Sequence, residues 1–269
     1  MTWDVIARQD WRRTVAERST KFLLGLLAFA IVIAAYVYPM AGQEPYTTGR
    51  FAGFVEGSLT TLVPIAGVLL GYNAVVSERA SGALRLSLSL PHSRRDLVFG
   101  KFLGRAGAVA ATVVASMAVA GFLVVYPFGS LEPLRFLALV GLTVWFAGIW
   151  TGLGVAASIA ASTKRRALLL ALTLFFLFVM VWETMENGLQ LALSFLGLIE
   201  GDLPDPLQFV FGLEPGAVFG RLTDGFVDPS ASLGGPWYLG KWVALVLFVL
   251  WLVGPLGLAY RRFAESDLA

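Results

Sequence analysis

Cysteine is absent from the 269-residue chain, which excludes disulfides, zinc ribbons, iron–sulfur clusters and thiol nucleophiles together and leaves the redox compartment open. Histidine occurs once, at His92, so catalytic histidine dyads and the usual zinc-hydrolase ligand sets are excluded too. Charge is scarce as well: charged residues make up 14% of the chain, against about 25% in a soluble domain. A net charge of +2 gives nucleic acid no support as a partner. What is abundant is apolar. The chain is 57% hydrophobic with a mean hydropathy of +0.76, and it holds 20 Phe and 8 Trp. Such a sequence is neither disordered nor an ordinary water-soluble fold.

Apolar runs that can cross a hydrocarbon core of about 30 Å, at about 1.5 Å of rise per residue, occur at about residues 22–38, 57–76, 106–126, 136–161, 167–182 and 242–260. The fifth is the weakest: its sixteen residues fall just short of the usual length of about 17–25, and an extension beyond Trp182 is left open. The first is read as a retained span, because the preceding segment is longer and more basic than a secretory signal and no small-x-small site follows Tyr38. Lys and Arg divide 16 to 4 between the two sets of connections. The positive-inside rule then puts both termini in the cytoplasm and makes the number of spans even. Aromatic residues at the span ends, among them Tyr36, Tyr38, Tyr126, Trp182, Trp237, Tyr238 and Tyr260, agree with these boundaries. The expected fold is an all-α membrane protein of six transmembrane helices, a single domain over residues 1–269.

The spans contain essentially no ionisable side chain, whereas a secondary transporter coupled to protons or sodium is expected to carry midplane carboxylates or broken helices. Their polar residues are Thr60, Thr61, Asn73, Thr112, Ser116, Thr143, Thr151 and Ser158, read mainly as hydroxyls bonded back to their own helix or packing against a neighbour. Gly67 with Gly71, and Gly148 with Gly152, are small-xxx-small pairs that allow close helix crossing, though 29 glycines produce such pairs by chance. The string from Gly235 to Trp242 resembles a phosphate-cradling loop, but Trp242 replaces the magnesium-binding hydroxyl and Pro236 removes a cradling N–H. An intramembrane enzyme needs paired carboxylates or a Ser/His pair at depth. The nearest grouping is Glu183 with Glu186, one turn apart at the outer end of span five, read as interface residues or as an outer gate. No catalytic, cofactor-binding or metal-binding residue is therefore expected on this chain.

The connection from Ser77 to Arg105 is the informative one. Ser93 with Asp96 makes a capping-box-like helix start, and Leu97, Val98, Lys101 and Phe102 continue at helical spacing, so a short helix is expected there. Just before it, Leu84, Leu86, Leu88 and Leu90 alternate with polar residues. A lone strand at a bilayer surface leaves its edges unpaired, so helix or irregular structure is favoured. Arg94, Arg95 and Lys101 beside the capped start form a polar, rigid knob that a soluble partner can push. Arg105 is read as ordinary cytoplasmic retention, and His92 as a loop residue beside Pro91. At the N-terminus, Trp3, Ile6, Ala7, Trp11 and Thr14 share one side of a helix with Arg8, Arg12 and Arg13 elsewhere. This describes an amphipathic helix lying in the interface with its apolar side in acyl chains, although Asp10 intrudes on that side.

With an entry helix, six spans, and the string Glu78-Arg79-x-x-Gly82-x-Leu84, Leu90-Pro91-x-Ser93-Arg94 and Gly100-Lys101, the chain resembles the ABC-2 type transporter permeases, including those of nitrous-oxide reductase maturation systems. Ala83, where Thr is common, and His92 between the Pro and the Ser are its departures from the pattern. The resemblance implies a coupling helix between spans two and three that rests on a separate ABC-type ATPase subunit. It also implies that ATP and Mg are bound on that partner and that two permeases pair with two ATPases. The implied coupling surface comprises Glu78, Arg79, Gly82, Pro91, Ser93, Arg94, Arg95, Asp96, Gly100 and Lys101. A re-entrant helix at about 187–199 is implied for the outer loop, 183–241. That loop holds eight of the eleven external carboxylates, which suits an external partner or simple exclusion of anions. The expected protein is a permease subunit of an ATP-driven exporter, acting as a homo- or heterodimer amid membrane lipid, in the plasma membrane of a prokaryote. The alternative is a stand-alone channel or secondary transporter.

Overall fold

The computed structural model describes residues 3–42, 46–82, 93–128, 130–228 and 236–265. Helices account for nearly all of it. They are α1 (Trp3–Ala16), α2 (Arg18–Ala41), α3 (Thr48–Gly71), α4 (Val76–Ala80), α5 (Arg94–Phe128), α6 (Pro133–Ala160), α7 (Lys164–Phe175), α8 (Trp182–Phe195), α9 (Asp205–Phe211), α10 (Pro215–Phe226) and α11 (Lys241–Glu265). A π-wound turn, Phe176–Val181, joins α7 to α8, and a 3-10 turn, Trp237–Leu239, precedes α11. No strand occurs among the described residues; Thr47 and Ser130 make an isolated bridge.

Six helical stretches are long and apolar enough to cross a membrane: Arg18–Ala41, Thr48–Ala80, Arg94–Val125, Pro133–Ala160, Lys164–Phe195 and Lys241–Glu265. Each contains or overlaps one expected run. The fifth does extend: it reaches 32 residues, about 48 Å of helix. The chain through 187–195 is therefore the end of span five and not a separate re-entrant helix. Instead, α10 turns back into the bundle, with Val218, Phe219 and Leu222 fully buried. Phe219 stacks on Phe146 of α6 at 4.8 Å between ring centroids. Trp182 donates from its indole nitrogen to the Phe211 carbonyl at 3.0 Å, and Trp251 to that of Leu213 at 2.7 Å, so the returning loop is pinned to spans five and six.

At the centre α3 crosses α6, and glycine decides where. A Cβ on Gly67 would lie 2.8 Å from the Thr151 backbone nitrogen, and one on Gly71 would lie 2.7 Å from the Cα of Gly154. The pair in α3 thus works as expected, but its counterpart is Thr151 with Gly154. Gly148 and Gly152 face side chains at ordinary contact distance, Leu252 at 3.4 Å and Phe102 at 3.6 Å. The span hydroxyls mostly bond back to their own helix: Thr60 to Glu56 at 2.9 Å, Thr61 to Gly57 at 3.0 Å, Thr112 to Ala108 at 3.0 Å, Thr143 to Leu139 and Thr151 to Ala147 at 2.8 Å each. Ser158 instead serves the backbone of another helix. Burial is uneven. In the most apolar window of span five 11% of residues are buried within the chain, against 61% for the second span, so span five offers its surface to lipid or to another chain.

The apolar side of the N-terminal helix is partly covered by the chain itself. That side packs on the start of α5, where glycines make room: a Cβ on Gly100 would meet Ile6 at 2.8 Å, one on Gly104 the Ala7 carbonyl at 2.8 Å, and one on Gly107 the Trp11 ring at 2.9 Å. Trp3 meets Phe99 edge to face at 5.5 Å.

Candidate functional site

At one end of the bundle, where α1 and the last turns of α11 meet the start of α5, the Ser77–Arg105 connection is tied to four other elements, α6, α1, α3 and α11. The first tie is to α6. The buried Ser158 hydroxyl accepts from the backbone N–H of Val75 at 2.9 Å and of Val76 at 3.0 Å, filling donors that a helix start leaves open. Arg79 returns the favour at the C-terminus of α6, donating to the carbonyls of Ile159 at 3.4 Å and Ala161 at 2.8 Å, where a cation also suits the helix dipole. Gly82 turns the chain with a left-handed φ of +74°.

The second tie is a buried ion network. Lys101 Nζ lies 3.1 Å from Asp10 Oδ1 on α1 and 2.5 Å from Glu78 Oε1 on α4. Arg105 Nε donates to Asp10 Oδ2 at 3.1 Å, and its guanidinium also donates to the carbonyls of Leu70 and Asn73. Two carboxylates thus face two cations, with Asp10, Lys101 and Arg105 side chains 6%, 7% and 13% exposed. One oxygen of Glu78, Oε2, and the Asn73 Oδ1 are buried without a protein partner among the described residues. The gain from such a network is small against its desolvation cost, but its geometry fixes one register of α1 on α5 and α4.

The third tie is to the end of α11. Arg94 donates to the Phe263 carbonyl at 2.6 Å and to that of Ala264 at 3.1 Å, with its guanidinium 5.4 Å from the Phe263 ring. Beside it Ser93 caps as expected: its hydroxyl accepts from the Asp96 N–H at 3.0 Å and donates to the Asp96 carboxylate at 2.9 Å. The helix it starts is not short, however. It runs 35 residues without a break and is the third span itself. Arg95 is exposed on its first turn. Pro91, His92 and the alternating leucines Leu84 to Leu90 lie outside the described residues. Of the expected knob, then, Arg95 points to solvent, Arg94 is engaged with the C-terminus, and Lys101 is buried.

Asp10, Arg105 and Ser158 belong to this site, although Arg105 reads from sequence as simple retention. The sequence signal was Asp10 itself: a carboxylate on the apolar side of a helix is costly unless a cation meets it.

At the opposite end, Glu183 is exposed on the first turn of α8. Glu186, half-buried, lines a 340 Å³ pocket with Asp202, Gln208 and Arg221. Glu214 caps α10, accepting from the N–H groups of Gly216 at 2.7 Å and Ala217 at 2.5 Å. Burial pushes its carboxyl above the usual range, the two N–H donors oppose that, and Glu183 adds to it. Burial lowers the Arg221 guanidinium, with Glu214 acting against the shift. Asp224 is raised by burial and by repulsion from Asp228. No group of three or more His, Asp or Glu side chains placed to hold a metal occurs among the described residues.

A sequence model of the ABC-2 family of transporter proteins matches residues 5–268. The chain belongs to the ABC-2 transporter family. Its relatives include a probable ABC transporter permease protein NosY from Pseudomonas aeruginosa, 29% identical with 98% of each chain covered. A protein of the same description from Stutzerimonas stutzeri is 28% identical over 84% of this chain and 85% of the relative. A match over nearly the whole length, together with six membrane-crossing helices, makes this chain a multi-pass membrane subunit of an ABC transporter. It is a permease and not itself an enzyme.

Proposed function

We propose that the chain is the membrane half of an ATP-driven exporter, that it works as a pair of permease copies, and that a separate ABC-type ATPase pushes on its Ser77–Arg105 connection. ATP and Mg are bound on that ATPase. The basic end faces the cytoplasm, as the 16-to-4 division of Lys and Arg requires under the positive-inside rule. The observation that carries this reading is the set of ties between that connection and its neighbours. A load applied near Arg95 reaches α11 through Arg94, α1 and α4 through Lys101, and α6 through Arg79. One exposed helix start therefore moves several spans together. Pairing of two copies provides a path that six slender helices do not enclose alone, and span five has the exposed surface for it. Glu183 and Glu186, in the second half of that helical stretch, act as a gate, and the acidic segment 183–241 is the surface for an external partner.

Arg95→Glu tests the coupling, because Arg95 is exposed whereas Arg94 holds the C-terminus in place. Tagged full-length chain extracted in mild detergent should retain an ATP-hydrolysing subunit, and reversal at Arg95 should weaken that capture without lowering the melting temperature. A chain that never retains an ATPase, or capture indifferent to Arg95→Glu, overturns the reading and favours a channel or secondary transporter.

A further inference from the structure

Between α6, the α7 to π-turn stretch of span five, and α11 lies a crevice of about 1470 Å³, larger than the roughly 300–1,000 Å³ of an ordinary ligand pocket. Both of its long walls are irregular. On span five Phe178 belongs to the π-wound turn; on α11 Gly254 has no side chain, and Pro255 cannot donate to the Trp251 carbonyl four residues back. The walls are apolar along their length. The charged side chains of the lining are Arg79 and Arg262, both at the basic end of the bundle. From Arg262 to Leu247 the crevice follows fifteen residues of α11, about 22 Å, most of a hydrocarbon core of about 30 Å. Its rim is open to the surroundings, since Leu250 is 57% and Leu258 65% exposed.

An elongated apolar slot with cations at one mouth complements a molecule with an anionic head and a long hydrocarbon tail. We infer that this crevice is a binding site for an anionic phospholipid of the membrane, its phosphate between Arg79 and Arg262 and an acyl chain running along Gly254 and Phe178 toward Trp251. Basic pockets between transmembrane helices hold anionic headgroups in this way. The assignment is independent of the ATPase partner, because it rests on the crevice and its two arginines alone.

The full-length protein, delipidated in detergent and offered equal amounts of dioleoyl phosphatidylglycerol and dioleoyl phosphatidylcholine, should keep the anionic phosphatidylglycerol preferentially when bound lipid is counted by native mass spectrometry. A basic side chain near the headgroup is worth about 1 kcal/mol, about fivefold in affinity. Arg262→Gln should therefore cut the preference about fivefold while lipid still enters; Arg262 is exposed, so folding is not at stake. Gly254→Phe should abolish the retained lipid of both kinds, and the melting temperature of the lipid-free protein should hold, since a Cβ at 254 meets nothing within 4 Å. Equal retention of the two lipids by the unaltered chain, or an unchanged preference in Arg262→Gln, overturns the assignment. So does retention by a folded Gly254→Phe. Because the chain has no cysteine, Leu250→Cys reports on the remaining occupant: a disulfide between two copies in native membranes would show that a second chain covers the crevice and not lipid.

Discussion

Replacing Asp10 by Asn removes the one carboxylate that serves both Lys101 and Arg105. Breaking a buried ion pair from one side costs about 3–5 kcal/mol, because the remaining charge stays buried without its partner. Here the lower end applies. Lys101 keeps Glu78 and Arg105 keeps the Leu70 carbonyl, so each cation loses part of its compensation and not all of it. The loss falls on the docking of α1 against α5, whose other contacts include the glycine-lined approach of Ile6, Ala7 and Trp11 and the Trp3–Phe99 ring pair. About 3 kcal/mol against that local unit raises the population of the undocked helix about a hundredfold. Trypsin reports it, since Arg12, Arg13 and Arg18 are exposed and are cleaved as α1 lifts away. Asp10→Asn should therefore be cut near these residues about a hundred times faster in detergent, with Asp4→Asn, on the exposed side of α1, as the unchanged control. Lys101→Met should also loosen the helix. In the double variant the two effects should fall short of their sum by about 0.5–3 kcal/mol, the coupling expected of contacting residues. Cleavage within a factor of two of the unaltered protein, or strict additivity, would refute the network as the latch of α1.

Gly71→Val should lower the melting temperature in detergent, with an overpacking cost of about 1–3 kcal/mol, because its Cβ would sit 2.6 Å from the Thr151 carbonyl oxygen; Gly148→Ala, facing Leu252 at 3.4 Å, should melt almost as the parent does. At the outer end, the folded pKa of Asp224 lies above its unfolded value, so the folded state binds the proton more tightly. Stability from this group is greatest at acid pH and declines as pH rises from the ordinary carboxylate value through the raised one. Asp224→Asn should flatten that decline and raise the melting temperature at neutral pH; an unchanged slope between pH 3 and 7, measured by tryptophan fluorescence, would count against the burial and Asp228 repulsion assigned to it.

Hydropathy made the six spans legible, because a bilayer demands uninterrupted apolar length and nothing else in the chain supplies it. It placed their ends poorly. The third span begins at Arg94, twelve residues before its apolar run, since a helix continues past the hydrocarbon wherever its polar turns find partners, and Arg94, Lys101 and Arg105 all do. In the outer loop, Leu189 to Ile199 and Val218 to Leu222 are both apolar, and composition does not say which returns to the bundle. Proline carries that information: Pro206 and Pro215 each stand in the first turn of a helix, marking α9 and α10 as new starts, while no such break separates α8 from span five. The glycine pair of α3 was visible, but the register of α6 chose Gly154 over Gly152, and only three-dimensional packing sets a register. The candidate site shows the same division. Arg94 and Lys101 were found by position in a motif, and their partners by structure. Asp10 is the point where the two kinds of information meet, because one misplaced charge on an apolar helix face already demanded a cation from elsewhere in the chain. The resulting ion network ties the entry helix to α4 and to the start of the third span.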